Sequence, residues 1–226
     1  MTTQRFIIEN NGADIANVRT LFENAAAFCL RRQIDLITLV VPVKSSFPDT
    51  VIADYLGTRI ARNLSRGGRV SLVKGLELRV TISSQLPSLE DNGLTLAVYL
   101  AARDLALVDA DPSVNNMAFL PWTKSEGLAW MALWEPQTWG PSNWSVTPMV
   151  LPDPVEQELA RLTRLVNLGT GLAHPCDKES ALRVFKGFRL SGYRLNAEHV
   201  KGWAIKHGWG AQHADDLAAL SRKYCL

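Results

Sequence analysis

The sequence has few cysteines and no apolar run long enough to span a membrane. Its three cysteines, Cys29, Cys176 and Cys225, are odd in number and far apart. This pattern excludes a disulfide-rich secreted class and predicts free thiols in a reducing compartment. No apolar stretch reaches the roughly 20 residues that a membrane-spanning helix needs, and the first residues lack the features of a signal peptide. These absences predict a soluble, cytoplasmic protein without a membrane partner.

The sequence also lacks the motifs that mark most catalytic and cofactor sites. There is no Walker-type phosphate loop, and Gly169-Thr170-Gly171 follows a predicted helix, where it favours a helix stop. His174 and Cys176 have ligand-like spacing, but no second pair stands at a distance typical of zinc. No nucleophile elbow is present. The sequence therefore predicts no metal and no cofactor, and it identifies no catalytic residue.

The charge is nearly balanced overall but uneven along the chain. A formal net charge of +2 is too small to indicate nucleic-acid or membrane binding by itself. Residues 1–153 contain 13 basic and 15 acidic side chains, whereas residues 154–226 contain 11 and 7. All four histidines lie in the second part. The C-terminal part is therefore basic, and the first part is mildly acidic.

Apolar patterning predicts an α/β fold. Short runs rich in Val, Ile and Leu alternate with segments whose apolar residues recur at helical spacing. This alternation is typical of a mostly parallel, Rossmann-like sheet with helices on both faces. A Pro- and Trp-rich stretch and four helical segments follow. We expect a sheet domain over residues 1–135, a linker over 136–154 and a basic helical unit over 155–226.

Individual elements follow from local signals. Asp14 is placed to cap a helix that runs to about Arg32. Residues 36–41 are apolar with little alternation, which predicts a strand buried on both faces of the sheet. A second helix is expected over residues 51–64. Candidate N-caps for later helices are Ser125, Asp177 and Asn196.

The loop after the buried strand is a candidate site for a small anionic ligand. Its polar residues are Lys44, Ser45, Ser46 and Thr50. Ligands of open α/β sheets bind where loops leave the carboxyl ends of strands, and N–H groups at helix starts attract anions. Thr123 and Lys124 follow a later strand and are expected to lie opposite. The alternative is a capped turn in which Asp49 or Thr50 serves only the helix.

The order of elements over residues 13–73 resembles the C-terminal α/β domain of pyruvate kinase and its stand-alone relatives. The shared order is a helix, a buried strand, a turn with Ser and Thr residues, and a second helix. In that family the turn holds a phosphate of an effector, so the resemblance implies an effector phosphate at this turn. Phe47-Pro48-Asp49 stands here in place of part of the family's Ser-Gly-Xaa-Thr pattern.

Five tryptophans lie close together in the sequence, at Trp122, Trp130, Trp134, Trp139 and Trp144. Trp130 and Trp134 are four residues apart and are expected to share a helix face. Tryptophans in such a pattern usually belong to the core. The alternative is an interface with a protein partner, where tryptophan is enriched.

Basic residues are concentrated in the predicted helical unit, with seven in residues 178–206. A helix–turn–helix arrangement would place some of them on the phosphates of duplex DNA. The residues expected to contact nucleic acid are Lys186, Arg189, Arg194, Lys201 and Lys206. The alternative is that these charges are dispersed and only keep the unit soluble. The sequence around residues 195–209 resembles a small helical appendage of bacterial cytoplasmic proteins, which implies a bacterial origin and no activity.

Two functional hypotheses follow. The first is a non-enzymatic binding or regulatory module, in which the α/β domain binds a small anionic ligand or a protein partner. The second is a hydrolytic enzyme acting on a phosphate-containing substrate or nucleic acid. The first is favoured because cations and hydroxyls, rather than paired carboxylates or histidines, follow the predicted strands.

Overall fold

A computed structural model describes residues 3–86 and 93–225, and the chain forms two compact units that divide between Val146 and Thr147. The strands of the sheet unit are β1 (Gln4–Ile7), β2 (Leu36–Val40), β3 (Val70–Val73), β4 (Leu76–Thr81), β5 (Leu94–Val98), β6 (Asn116–Leu120) and β7 (Gln137–Thr138). Its helices are α1 (Ile15–Arg32), α2 (Val51–Leu56), α3 (Thr58–Ser65), α4 (Ala102–Ala110) and α5 (Lys124–Trp134). The helical unit contains α6 (Asp153–Leu165), α7 (Pro175–Leu190), α8 (Ala197–Lys206) and α9 (Ala211–Tyr224).

The described strands form one mostly parallel sheet in the order β3-β4-β2-β5-β6-β1-β7. Only the β3–β4 pairing is antiparallel among these strands. Apolar residues of α1, α2 and α3 pack on one face of the sheet, and those of α4 and α5 pack on the other. The predicted α/β fold with helices on both faces is confirmed.

Strand β2 lies in the middle of this sheet, between β4 and β5. Ile37 and Leu39 face the α1–α3 side, whereas Val40 faces the α4–α5 side. All three are fully buried, as expected for a strand covered on both faces. The buried Thr38 hydroxyl accepts a hydrogen bond from Arg79 Nε at 2.9 Å, so the polar group within the strand is satisfied.

Local signals placed most helices, with three corrections. Asp14 caps α1 as predicted, since its carboxylate accepts a hydrogen bond from the Ala16 amide at 2.8 Å. The helix predicted over residues 51–64 is divided into α2 and α3 by Gly57, whose φ of 90° is open to glycine but strained for other residues. Thr123, rather than Ser125, caps α5. His174, rather than Asp177, caps α7.

The stretch predicted as a linker contributes to the sheet unit. Proline and glycine exclude a helix there, but they permit β7, a short edge strand paired with β1. The Glu9 carboxylate then binds the chain further on, accepting hydrogen bonds from Ser142 Oγ at 2.7 Å and from the Asn143 amide at 2.7 Å. The Trp144 ring packs against Gly127 of α5, where a Cβ would collide with it. Residues 137–146 therefore belong to the sheet unit.

The helical unit has its own apolar core. Phe185 and Phe188 of α7 meet edge to face at 5.6 Å between centroids. Trp209 is 2% exposed, and its Nε1 donates a hydrogen bond to Thr163 Oγ1 at 2.9 Å. Within the described part of the chain, no helix combines the length and apolar character needed to cross a bilayer.

Candidate functional site

The loop after β2 contains four of the predicted anion-binding residues. Ser46 Oγ donates a hydrogen bond to the Val43 carbonyl at 3.2 Å. Thr50 Oγ1 donates to the Phe47 carbonyl at 2.8 Å and accepts from the Ala53 amide at 3.4 Å, which caps α2. Ser45 is exposed and Lys44 is half-buried. Two of the three hydroxyls thus hold the turn together, as the capped-turn alternative expects.

The loop after β6 contains the other two residues, Thr123 and Lys124. Thr123 and Glu126 form a capping box at the start of α5, with hydrogen bonds of 3.3 Å and 2.9 Å. The Lys124 amide donates to Asn11 Oδ1 at 3.3 Å. The ammonium group of Lys124 lies 5.9 Å from the centroid of the Trp144 ring. The Thr123 hydroxyl and the Lys124 side chain therefore have local partners.

Both loops lie at the carboxyl edge of the sheet, but β5 separates β2 from β6. Two steps between neighbouring strands amount to about 10 Å. Lys44 Nζ lies 3.8 Å from the position that a Cβ on Gly67 would take, beyond the end of α3. Lys124 is directed to Trp144 instead. The two ammonium groups therefore have different neighbours.

Tyr99 occupies the edge between these loops, directly after β5. Its φ is 57°, a left-handed conformation that strains a non-glycine residue. Its ring meets Trp122 edge to face at 5.0 Å. Its buried hydroxyl has no hydrogen-bond partner among the residues described, and burial, with a smaller contribution from Asp14, raises its pKa to about 12. Tyr99 stays in its phenol form at neutral pH.

The tryptophans predicted as core or partner residues have different environments. Trp130 is 4% exposed, and Trp139 is 9% exposed and stacks on Phe6 at 4.5 Å. Trp134 and Trp144 are half-buried. Trp122 is 46% exposed and is the most exposed of the five.

A basic cavity on α3 was missed by the sequence analysis. Arg59, Arg62 and Arg66 line a concave surface of about 510 Å³, together with Thr58 and Asn63. We call it the α3 arginine cavity. Its volume lies within the roughly 300–1,000 Å³ typical of ligand sites. The signal was present in the sequence, since basic residues at 59, 62 and 66 recur at helical spacing opposite the buried Ala61 and Leu64.

The positive charge of this cavity is not neutralised locally. None of its three arginines forms an ion pair with a carboxylate within residues 3–86 and 93–225. Lys44 Nζ approaches Gly67, the residue after Arg66, and so adds a fourth cation nearby. Residues 44–79 as a whole contain seven basic and three acidic side chains. The surroundings of α3 therefore favour an anion.

The cations predicted to bind nucleic acid do not share one environment. Lys201 Nζ pairs with Asp215 at 2.6 Å. Arg189 and Arg194 line a separate concave surface of about 290 Å³. Lys186 is exposed on α7, and Lys206 is the last residue of α8. The loop between α7 and α8 spans residues 191–196.

His174 and Cys176 have a structural arrangement. His174 Nδ1 accepts a hydrogen bond from the Cys176 amide at 3.3 Å and so caps α7. In the described part of the chain, no three His, Cys, Asp or Glu side chains are grouped closely enough to hold a metal.

Comparison with known families gives a match in the helical unit. A family model described as Domain of unknown function (DUF1889) matches residues 152–224, about a third of the chain and nearly all of the helical unit. The description assigns no activity to that family. Comparisons with curated proteins and with solved structures gave no significant match.

Proposed function

We propose that the sheet unit is a non-enzymatic binding module, and that its ligand is a small, multiply charged anion held in the α3 arginine cavity. One observation carries the proposal: three arginines without carboxylate partners line a single concave surface of ligand size. Guanidinium groups present several donors in a fixed plane and remain charged at all physiological pH values. Carboxylates and phosphates are the groups that they bind best.

The fold supports this position. Strand β3 runs antiparallel to β4, so the chain enters β3 from the side of the sheet where the parallel strands end. The end of α3 and the loop after β2 therefore lie at the same edge, which explains the approach of Lys44 to Gly67. Ligands of open α/β sheets bind near this edge. The predicted residue Lys44 thus lies near the end of α3, beside the cavity but outside its lining.

A cytoplasmic location is part of the proposal. Cys29, Cys176 and Cys225 are all free thiols, and Cys176 is exposed. Free cysteines of this kind are typical of proteins kept in a reducing compartment.

The experiment is a titration of the full-length protein with tripolyphosphate, followed by the amide NMR shifts of residues 58–69. Replacing Arg59, Arg62 and Arg66 together with Gln removes three exposed cations. At about 1 kcal/mol for each exposed charge pair, the triple variant should lose about a hundredfold in affinity. The matched control replaces Arg19, Arg31 and Arg103 with Gln, which lowers the net charge equally at exposed positions elsewhere in the sheet unit.

The outcomes separate a specific cavity from a general charge effect. An equal loss in both triple variants would show attraction by net charge alone and would refute the cavity. Unshifted amides over residues 58–69 would refute it as well. If the unaltered protein releases phosphate from tripolyphosphate and the Arg62→Gln variant does not, the cavity hydrolyses its ligand. That result would favour the alternative hypothesis of a hydrolytic enzyme.

A further inference from the structure

The helical unit contains a second basic concavity, at the point where α7 and α9 both end. Its volume is about 290 Å³, and we call it the α7–α9 cavity. Residues that line it include Arg189, Tyr193, Arg194, Lys223, Tyr224 and Cys225. They come from the last turn of α7, the following loop and the end of α9. Three separate segments therefore bring cations to one concave surface.

The backbone around this cavity is firmly held. The Gly192 amide donates to the Arg189 carbonyl at 3.1 Å, and the Tyr193 amide donates to the Phe188 carbonyl at 3.0 Å. These two bonds form a Schellman motif, and Gly192 has the φ of 77° that the motif requires. The motif turns the chain sharply, so Tyr193 and Arg194 return across the end of α7.

A second connection closes the cavity from the side of α9. The Leu195 amide donates to the Cys225 carbonyl at 2.9 Å, which ties the loop after α7 to the end of α9. Leu195 and Cys225 are both buried. The cations thus stand on backbone that is already positioned, which lowers the entropic cost of binding a ligand.

The net charge at the cavity is positive. Arg189, Arg194 and Lys223 form no ion pair and donate no side-chain hydrogen bond within residues 3–86 and 93–225. The C-terminal ends of α7 and α9 each contribute about half a negative charge. Three full positive charges exceed these two half charges, so the cavity favours an anion.

We propose that the α7–α9 cavity binds a phosphate dianion, either free phosphate or the phosphate of a small phosphomonoester. Three cations from three separate segments suit the several oxygens of a phosphate better than the two oxygens of a carboxylate. Duplex DNA is the less favoured ligand, because the cations converge on a small concavity and Lys201 is paired with Asp215. This site does not depend on the function proposed for the sheet unit.

The test is amide NMR on the full-length protein, with inorganic phosphate, adenosine 5′-monophosphate and adenosine as probes. The amides of residues 192–195 and Cys225 should shift with both phosphates and not with adenosine. A tighter response to the nucleotide would identify a phosphomonoester as the ligand, and an equal response would identify free phosphate. Binding should strengthen as the pH rises through about 6, where a phosphomonoester takes its second negative charge.

Two variants make the test specific. Arg194→Gln should weaken phosphate binding by about tenfold, the effect of losing one charge-assisted hydrogen bond. Lys186→Gln removes an exposed cation of α7 that does not line the cavity, and it should change binding less than about twofold. Both positions are exposed, so the fold should be retained.

Two results would overturn the proposal. One is the absence of shifts at residues 192–195 in millimolar phosphate. The other is an equal loss in Arg194→Gln and Lys186→Gln, accompanied by salt-sensitive binding of duplex DNA. That second result would favour a dispersed nucleic-acid surface instead.

Discussion

Replacing Trp130 tests how the sheet unit is held together on the α4–α5 side. The indole is 4% exposed and meets Phe119 of β6 edge to face at 5.3 Å. Its Nε1 donates a hydrogen bond to Asp109 Oδ2 at 2.8 Å. Asp109 also accepts from Arg5 Nε at 2.9 Å, and the side chains of this pair are 3% and 10% exposed. Trp130 therefore both fills space and satisfies a buried carboxylate.

The size of the effect follows from these two roles. Trp130→Ala should lower the free energy of unfolding by about 3–5 kcal/mol, the usual cost of deleting a buried aromatic side chain. Trp130→Phe keeps a ring against Phe119 but removes the hydrogen bond to Asp109. It should cost about 1.5–3 kcal/mol, as expected for a bond to a charged group.

The loss of unfolding free energy in Trp130→Phe should depend on pH. Burial raises the pKa of the Asp109 carboxyl, while Arg5 and the Trp130 hydrogen bond act in the opposite direction. The indole N–H stabilises the ionised carboxyl more than the protonated one. The loss of unfolding free energy in Trp130→Phe should therefore be largest above the raised pKa and should shrink as the pH falls through it.

Native-state hydrogen exchange of the amides in β6 and α5 measures these differences within the sheet unit. Trp122→Ala is the control, because Trp122 is 46% exposed and lies at the sheet edge. It should cost less than about 1 kcal/mol. If Trp130→Ala also lowers the free energy of unfolding by less than about 1 kcal/mol, Trp130 does not stabilise the core of the sheet unit. Loss of a binding partner in that variant would then assign it to an interface.

Two further perturbations test other contacts of the sheet unit. Burial would raise the pKa of Glu9, but hydrogen bonds from residues 142–144 and the charge of Lys124 outweigh it and lower the pKa. The attachment of residues 142–144 should persist above the usual Glu pKa and be lost as the pH falls through the lowered value. Its loss should speed proteolysis at residues 142–144. In Glu9→Gln the same faster cleavage should occur already at neutral pH. Tyr99→Phe removes a buried hydroxyl without a partner in the described residues and should leave stability unchanged or higher. A loss above about 1 kcal/mol in thermal unfolding would show that the hydroxyl is satisfied after all.

Local chemistry in the sequence was sufficient to predict much of the secondary structure. Asp14 and the apolar residues at helical spacing predicted α1, since a cap and an amphipathic stripe act within a few turns. The continuous apolar run predicted a strand buried on both faces, and β2 is that strand. The same signals did not distinguish neighbouring cap candidates. Thr123 caps α5 instead of Ser125 because its hydroxyl accepts a hydrogen bond from the Glu126 amide, while the Glu126 carboxylate accepts one from the Thr123 amide.

Prediction of the sites was less complete. Lys44, Ser45, Ser46 and Thr50 were correctly expected in a loop after a buried strand, but their role in anion binding remains a prediction. Arg59 and Arg62 fall within the helix predicted over residues 51–64, whereas Arg66 lies beyond its end, and none of the three was predicted as a site residue. The structure places all three on one concave surface, formed by residues of α3 and the residue after it.

Local sequence signals predicted most of the helices, the central strand and the basic character of the C-terminal part, because propensity, capping and periodicity act between neighbouring residues. No local signal predicted that β1 lies between β6 and β7, or that Arg189, Arg194 and Lys223 line one cavity. These arrangements depend on hydrogen bonds between distant segments, such as those from Trp139 to Ile7 and from Leu195 to Cys225. Spacing along the chain does not specify which distant groups will pair, since that choice is made by the packing of the whole unit.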